Sequence, residues 1–277
     1  MRFANRWVPD PVHAPDLEST KRSVPESGRT VWIHRRHSGT SPVLFWLHGG
    51  GHVIGDPEQR RWAAVLTSRV DCVMVSAGYR LSPEHPFPAS LDDAHAAFHW
   101  MLEAADDLGL DRTRVVIGGE SAGGGLAASL VQRLVDEGTP IGGQLLVYPM
   151  LDDRTAARTD IGPKEHLVWN NASNRFGWGS FLGMPPGAQA TPPYAVPARR
   201  EDLSGLPPAW IGVGDLDLFL DEDTAYADRL RAAGVDVEFV VSEGGPHGFV
   251  SLAPLAPISQ RLFDSAGAFL AARFGAG

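Results

Sequence analysis

The chain has a single cysteine among 277 residues, Cys72, so no internal disulfide can form. Cys72 lies in CVMV (72–75) and reads as a small core residue. No apolar stretch reaches the ~18 residues needed to span a bilayer. The opening MRFANRWVPDPVHAPD lacks the apolar core of a secretory signal. A cytoplasmic, reducing setting without membrane association is therefore expected, and the Asn171-Ala-Ser173 glycosylation pattern carries no weight. Positive charge is scarce too: the net charge is −9 and no Lys/Arg block stands out, which argues against nucleic acid as a partner. Internal repeats and low-complexity tracts are missing.

What is present is an ordinary globular composition, 43% hydrophobic and 21% charged, in a chain long enough for one sizeable core. Residues 1–277 are read as a single domain. Short apolar runs alternate with amphipathic segments. RTVWIHRR (29–36) alternates and suits a strand with one exposed face. PVLFWLH (42–48), CVMVSAGY (72–79), RVVIGG (114–119), QLLVYP (144–149), AWIGVG (209–214) and VEFVVS (237–242) are nearly continuous, as strands covered on both faces of a parallel sheet would be. Helical patterns fill 58–69, 90–106, 122–136, 221–233 and 257–273. The alternation predicts an α/β fold with helices on both faces of the sheet. Residues 152–207 carry no strand pattern but contain Trp169, Phe176, Trp178 and Phe181, and they read as part of a cap over the sheet's C-terminal edge. The Pro-rich residues 1–28 are the candidate second piece of that cap.

VVIGGESAGGGLAAS (115–129) places one hydroxyl among five glycines. A phosphate-binding loop needs Lys and Ser/Thr after its second glycine, and Gly123 is followed by Gly124 and Gly125. No G-x-G-x-x-G frame fits either. Gly119-Glu120-Ser121-Ala122-Gly123 does fit the G-x-S-x-G nucleophile elbow, between a strand and a helix as that turn requires. Ser121 is the candidate nucleophile. A base must follow it, and only His166 and His247 do. His166 falls in the cap region, whereas His247 lies in GGPHGF after the last strand, where a base belongs. The acid should come from the loop after 209–214; there Asp215 and Asp217 both qualify by position, while Asp221 and Glu222 read as first-turn helix residues. His48-Gly49-Gly50-Gly51 follows strand 42–48, and the N–H groups of Gly50, Gly51 and Ala122 are the candidate oxyanion donors.

Taken in order, HGGGHVIGD (48–56), YRLSPEHPFPASLDDA (79–94), GESAGGG (119–125), DLFLDE (217–222) and HGF (247–249) resemble the hormone-sensitive-lipase-like esterases of the α/β-hydrolase superfamily. WNNASNRFGW (169–178) resembles the cap of bacterial members. The resemblance implies an α/β-hydrolase fold with a mostly parallel eight-stranded sheet and a small cap. It also implies a Ser–Asp–His triad, hydrolysis of small carboxylic esters, and Asp217 as the acid. Members of the family often form homodimers through a sheet edge. Glu120 stands where Asp is commoner.

No cofactor or metal is expected. His95 and His99 have the i, i+4 spacing of two zinc ligands, but no HExxH motif and no third ligand suggests itself, so they read as packing or surface positions. Arg80 and Glu84 read as ties in the active-site floor. The rival readings are an arylformamidase or other amidase on the same triad, and a non-catalytic receptor of the same fold. Retention of Ser121, Asp217 and His247 disfavours the receptor. The four cap aromatics would shorten an acyl pocket or form the cap's own core.

Overall fold

Seven apolar runs become strands, and an eighth strand joins them that no apolar run announces. The computed structural model describes residues 14–161 and 166–275. The strands are β1 (Glu18–Ser23), β2 (Thr30–Arg35), β3 (Ser41–Leu47), β4 (Val73–Ala77), β5 (Leu110–Glu120), β6 (Gly143–Val147), β7 (Ala209–Gly214) and β8 (Val237–Ser242). They form one eight-stranded sheet in the order β1-β2-β4-β3-β5-β6-β7-β8. From β4 to β8 neighbours are parallel; β2 lies antiparallel to β4, and β1 antiparallel to β2. The helices are α1 (Arg60–Leu66), α2 (Ala89–Glu103), α3 (Ala105–Leu108), α4 (Ala122–Asp136), α5 (Asp153–Ala157), α6 (Asn171–Leu182), α7 (Leu220–Ala232), α8 (Phe249–Leu252) and α9 (Pro257–Phe274). None of them is long and apolar enough to cross a membrane among the described residues.

The central strands are apolar throughout because both faces are covered. Every residue of β3 is buried. Val43, Phe45 and Leu47 join one core with Phe98 of α2, Leu130 of α4 and Leu230 of α7. Leu44 and Trp46 join the other, with Trp62 of α1 and Phe263 of α9. Aromatic packing fixes both layers: Phe45 meets Phe98 edge-on at 5.4 Å, Trp46 lies 4.8 Å from Trp62, and Trp62 meets Phe263 edge-on at 5.5 Å.

Two edges depart from the sequence reading. VEFVVS (237–242) is not covered on both faces: Val241 is 47% exposed, because β8 ends the sheet with only β7 beside it. At the other end, residues 18–23 belong to the sheet rather than to a cap. Glu18–Ser23 pairs with β2 from Glu18↔Arg35 to Ser23↔Thr30 through a tight hairpin. The strand is polar along its length, which suits an outer edge and hides it from periodicity. Residues 1–13 of the candidate cap piece lie outside the described residues.

Residues 152–207 contain α5, α6 and a 3₁₀ turn, with no strand among the described residues. Asn170 caps α6 by accepting from the Ser173 N–H at 3.1 Å, and Gly183 ends it in the left-handed region. Trp178, Phe181 and Leu182 of α6 pack against Ala122, Met150, Leu218 and Phe219, so the helix lies over the C-terminal ends of the central strands. The segment is braced by Asp153, fully buried. Its carboxylate takes Nε and Nη2 of Arg199 at 2.7 and 3.0 Å and accepts from the Gly187 N–H at 2.6 Å.

A second buried carboxylate, Glu222 of α7, accepts the N–H groups of Leu151 and Asp152 at 2.7 and 3.1 Å. Burial pushes its pKa up to about 8. The fully buried Asp223 beside it is likewise pushed well above the ordinary carboxylate range by burial. A raised carboxyl pKa means that the native state keeps a proton which the unfolded chain releases, so this group's contribution to stability falls as pH rises between about 4.5 and 8. Glu222→Gln keeps an acceptor for both N–H groups but cannot ionise. Its melting temperature relative to the parent should therefore climb from about pH 5 to pH 8.5 in a fluorimetric melt. A relative loss that deepens with pH would contradict this assignment.

Candidate active site

β5 ends and α4 begins with one residue between them, Ser121, at φ 55 and ψ −123. That backbone conformation is rare for a residue with a side chain. Close approach of the elements around it makes the turn. A Cβ on Gly119 would lie 2.4 Å from the Gly123 carbonyl oxygen, and one on Gly123 would lie 2.2 Å from that of Leu47. The turn lifts the Ser121 side chain clear of the sheet, and its Oγ lies 2.8 Å from His247 Nε2. His247 Nδ1 donates to Asp217 Oδ2 at 2.8 Å, and Asp217 Oδ1 accepts the Phe219 N–H at 3.0 Å. All three side chains are buried. Phe219 and Tyr148 meet the imidazole edge-on, at 5.1 and 4.9 Å, and Trp169 lies 6.3 Å away. The dry surround strengthens each polar contact within it.

The two aspartates left open by position separate cleanly. Asp215 is exposed, and its Oδ1 accepts from the Gly244 N–H at 2.7 Å, tying the β7 loop to the β8 loop. Asp217 is the one that reaches His247.

The three candidate oxyanion donors are aimed by their peptide carbonyls. The Gly49 carbonyl accepts from His48 Nδ1 at 2.8 Å, and the Gly50 carbonyl accepts the N–H groups of Val53 and Ile54 at 3.1 and 3.0 Å. The Ser121 carbonyl accepts from Gly125 and Met150, both at 3.0 Å. In a trans peptide the N–H points opposite its carbonyl, so the N–H groups of Gly50, Gly51 and Ala122 are each held in one direction. His48 is neutral in this role: burial lowers its pKa to about 4, and its ring stacks on Tyr79 at 4.2 Å. Trp169 lies directly over the glycine turn, where a Cβ on Gly51 would fall 2.2 Å from the indole.

Two groups escaped the sequence reading. Glu120 is more than a variant of the elbow: its Oε2 accepts from Tyr148 Oη at 3.1 Å and from Ser251 Oγ at 3.2 Å, joining the nucleophile turn to the segment after His247. Burial raises its pKa. His52, next to the oxyanion loop, is buried with neither ring nitrogen bonded and stacks on Phe181 at 3.9 Å. Burial lowers its pKa to about 3, so it packs as a neutral aromatic. Arg80 plays the structural part expected of it, binding both carboxylate oxygens of the buried Asp93 at 2.8 and 2.9 Å. Among the cap aromatics, Trp178 and Phe181 are buried in the cluster that includes Ala122 and Phe219, Phe176 is 60% exposed, and Trp169 lies over the glycine turn near His247.

A model of the α/β-hydrolase fold matches residues 44–251. Among curated proteins, esterase LipI of Mycobacterium tuberculosis is 38% identical over 78% of this chain and 68% of the relative. Carboxylesterase NlhH of the same organism is 36% identical over 89% of this chain and 80% of the relative. The crystal structure of esterase LipW from Mycobacterium marinum superposes with a TM-score of 0.85 at 36% identity, covering 93% of this chain and 82% of that one. The chain belongs to the hormone-sensitive-lipase-like esterases of the α/β-hydrolase fold.

The close approach at the elbow generates a paired prediction. Gly123→Ala forces a methyl against backbone at 2.2 Å and should cost about 1–3 kcal/mol with loss of turnover. Gly179→Ala, in α6 with only Pro186 Cδ at 4.0 Å, should be neutral or stabilising by up to about 1 kcal/mol. Urea unfolding midpoints of the two variants check the contrast; equal midpoints would contradict it.

Proposed function

We propose that the chain is a serine carboxylesterase that hydrolyses carboxylic esters of short to medium acyl length through an acyl-enzyme on Ser121. The observation that carries this reading is the unbroken chain Ser121 Oγ–His247 Nε2–His247 Nδ1–Asp217 Oδ2, with both contacts at 2.8 Å, on an elbow whose neighbouring N–H groups are fixed in direction. His247 Nε2 takes the hydroxyl proton as Oγ attacks the ester carbonyl carbon. Asp217 keeps the proton on Nδ1 and stabilises the imidazolium that forms. The N–H groups of Gly50, Gly51 and Ala122 receive the oxyanion. As the tetrahedral species collapses, His247 returns the proton to the leaving alcohol. Water then enters, gives its proton to His247, and attacks the acyl carbon; collapse of the second tetrahedral species frees the acid and Ser121. The lone Cys72, buried and with its pKa pushed up to about 12 by burial, supports a cytoplasmic setting in which no disulfide is required.

The position of Trp169 over the glycine turn supports the preference for modest acyl groups. Each methylene that can be buried adds about 0.8 kcal/mol, roughly fourfold in kcat/KM, until the pocket ends.

Ser121→Ala should remove nearly all turnover of p-nitrophenyl butyrate, and Asp217→Asn should lower kcat by about 10⁴-fold, while Asp215→Asn stays near the parent. Near-parental turnover in the purified Ser121→Ala protein would end the reading. Across p-nitrophenyl acetate, butyrate, octanoate, laurate and palmitate, kcat/KM should peak at or before the eight-carbon ester. Trp169→Ala should move that peak to a longer acyl group. A parent optimum at palmitate, or strong activation by emulsified triolein, would replace the proposal with a true lipase.

A further inference from the structure

The strongest cluster of ligating side chains outside the active site lies on the opposite end of α4. His95 and His99 sit one turn apart on α2, and the structure supplies the third group that their sequence neighbourhood lacks: Glu137, the residue that ends α4. His95 Nε2 lies 2.8 Å from Glu137 Oε2 and 3.1 Å from His99 Nε2, and His99 Nε2 lies 3.7 Å from Glu137 Oε2.

With neutral rings, both close contacts can be hydrogen bonds only if one hydrogen on His95 Nε2 is shared between Glu137 and His99. That leaves His99 Nε2 and Glu137 Oε2 as two acceptors facing each other at 3.7 Å. A carboxylate only accepts, so His95 Nε2 must carry its hydrogen toward Glu137. A ring nitrogen that carries a hydrogen has no in-plane lone pair left to accept from His99. If His99 donates instead, the bare lone pair of His95 faces a carboxylate oxygen. A cation at the centre satisfies all three electron pairs at once. The spacing agrees: a tetrahedral ion with bonds of about 2.0–2.1 Å holds its ligands about 3.3–3.4 Å apart, and the three separations bracket that value.

We propose that His95, His99 and Glu137 form a surface site for a first-row divalent cation, Zn²⁺ being the best match, with water completing the tetrahedron. Two imidazoles and one carboxylate suit the borderline character of zinc. Ligating carboxylates are commonly held by an outer hydrogen bond, and here Arg133 Nε donates to Glu137 Oε1 at 3.1 Å, leaving Oε2 for the ion. The same guanidinium donates through Nη1 to Asp92 Oδ1 at 2.9 Å, which offsets its charge beside the site. The three side chains are 20%, 41% and 37% exposed, so an ion can enter from solvent. The site would add a metal bridge between two helices already joined by packing and by the Arg133–Asp92 ion pair. It pins the far end of the helix whose first residue follows the nucleophile, about 22 Å away along its axis. It takes no part in ester hydrolysis and does not depend on that reading.

The test uses chelator-stripped protein dialysed against Zn²⁺, with bound metal counted per chain and melting followed by fluorimetry. One equivalent should bind, and the melting temperature should rise by about 5 °C at a hundredfold excess over Kd. Co²⁺ in place of Zn²⁺ should give the visible bands of a tetrahedral N/O site. His99→Gln and Glu137→Gln should each weaken binding about tenfold or more and abolish the thermal shift, with ester turnover unchanged as proof of folding. No binding by the parent, or binding that both variants retain within twofold, would overturn the proposal.

Discussion

A serine held at φ 55 occupies backbone space that costs a residue with a side chain on the order of 1–3 kcal/mol, and the surrounding structure must hold it there. Several bonds do so. The Ser121 N–H donates to the Val147 carbonyl at 2.9 Å, so β6 grips the turn from one side. The Ser121 carbonyl is taken by Gly125 within α4 and by Met150 beyond β6. β3 presses in through Leu47 so closely that Gly123 has no room for a methyl group. The order of the central strands follows from the same need, since β3 and β6 flank β5 and must both end at the turn.

Around the turn, buried and half-buried carboxylates tie separate segments together. Glu120 joins the Ser121 turn to the segment after His247, Glu222 joins α7 to the chain after β6, Asp153 clamps residues 152–207 through Arg199, and Asp93 fixes the loop of Arg80. Each faces donors that would otherwise lack partners: the Tyr148 and Ser251 hydroxyls at Glu120, backbone N–H groups at Glu222, and arginines at Asp153 and Asp93. Replacing any one of them with an apolar residue would strand its donors, and an unpaired buried polar group costs about 1–3 kcal/mol.

The central strands were legible because burial on two faces leaves an uninterrupted apolar signature, as in PVLFWLH. The elbow and the His-Gly-Gly-Gly turn were legible because their chemistry is local, a few residues of backbone with a fixed demand for glycine. What was not legible is what depends on distant partners. β1 is six polar residues whose only reason to be extended is the edge of β2. Asp215 and Asp217 differ by two positions, and position alone could not tell which faces the histidine; family resemblance pointed to Asp217. Glu120 reads in sequence as a variant of the elbow and Glu222 as a first-turn helix residue; their ties to distant segments show only in the folded chain. Glu137 lies 42 residues from His95 and on another helix, so no local spacing could announce it.

The hydrogen-bonded chain Ser121–His247–Asp217 and the indole that lies over the glycine turn come from different parts of the sequence. Ser121, Asp217, His247 and the glycine turn all leave the ends of sheet strands, whereas Trp169 rides on a segment anchored separately by the Arg199–Asp153 pair. Selection can therefore work on the two at different rates. On the proposed function, substitutions between β6 and β7 would reshape which esters enter while the triad stays as it is, so a lineage carrying this architecture would acquire new substrates without passing through an inactive ancestor.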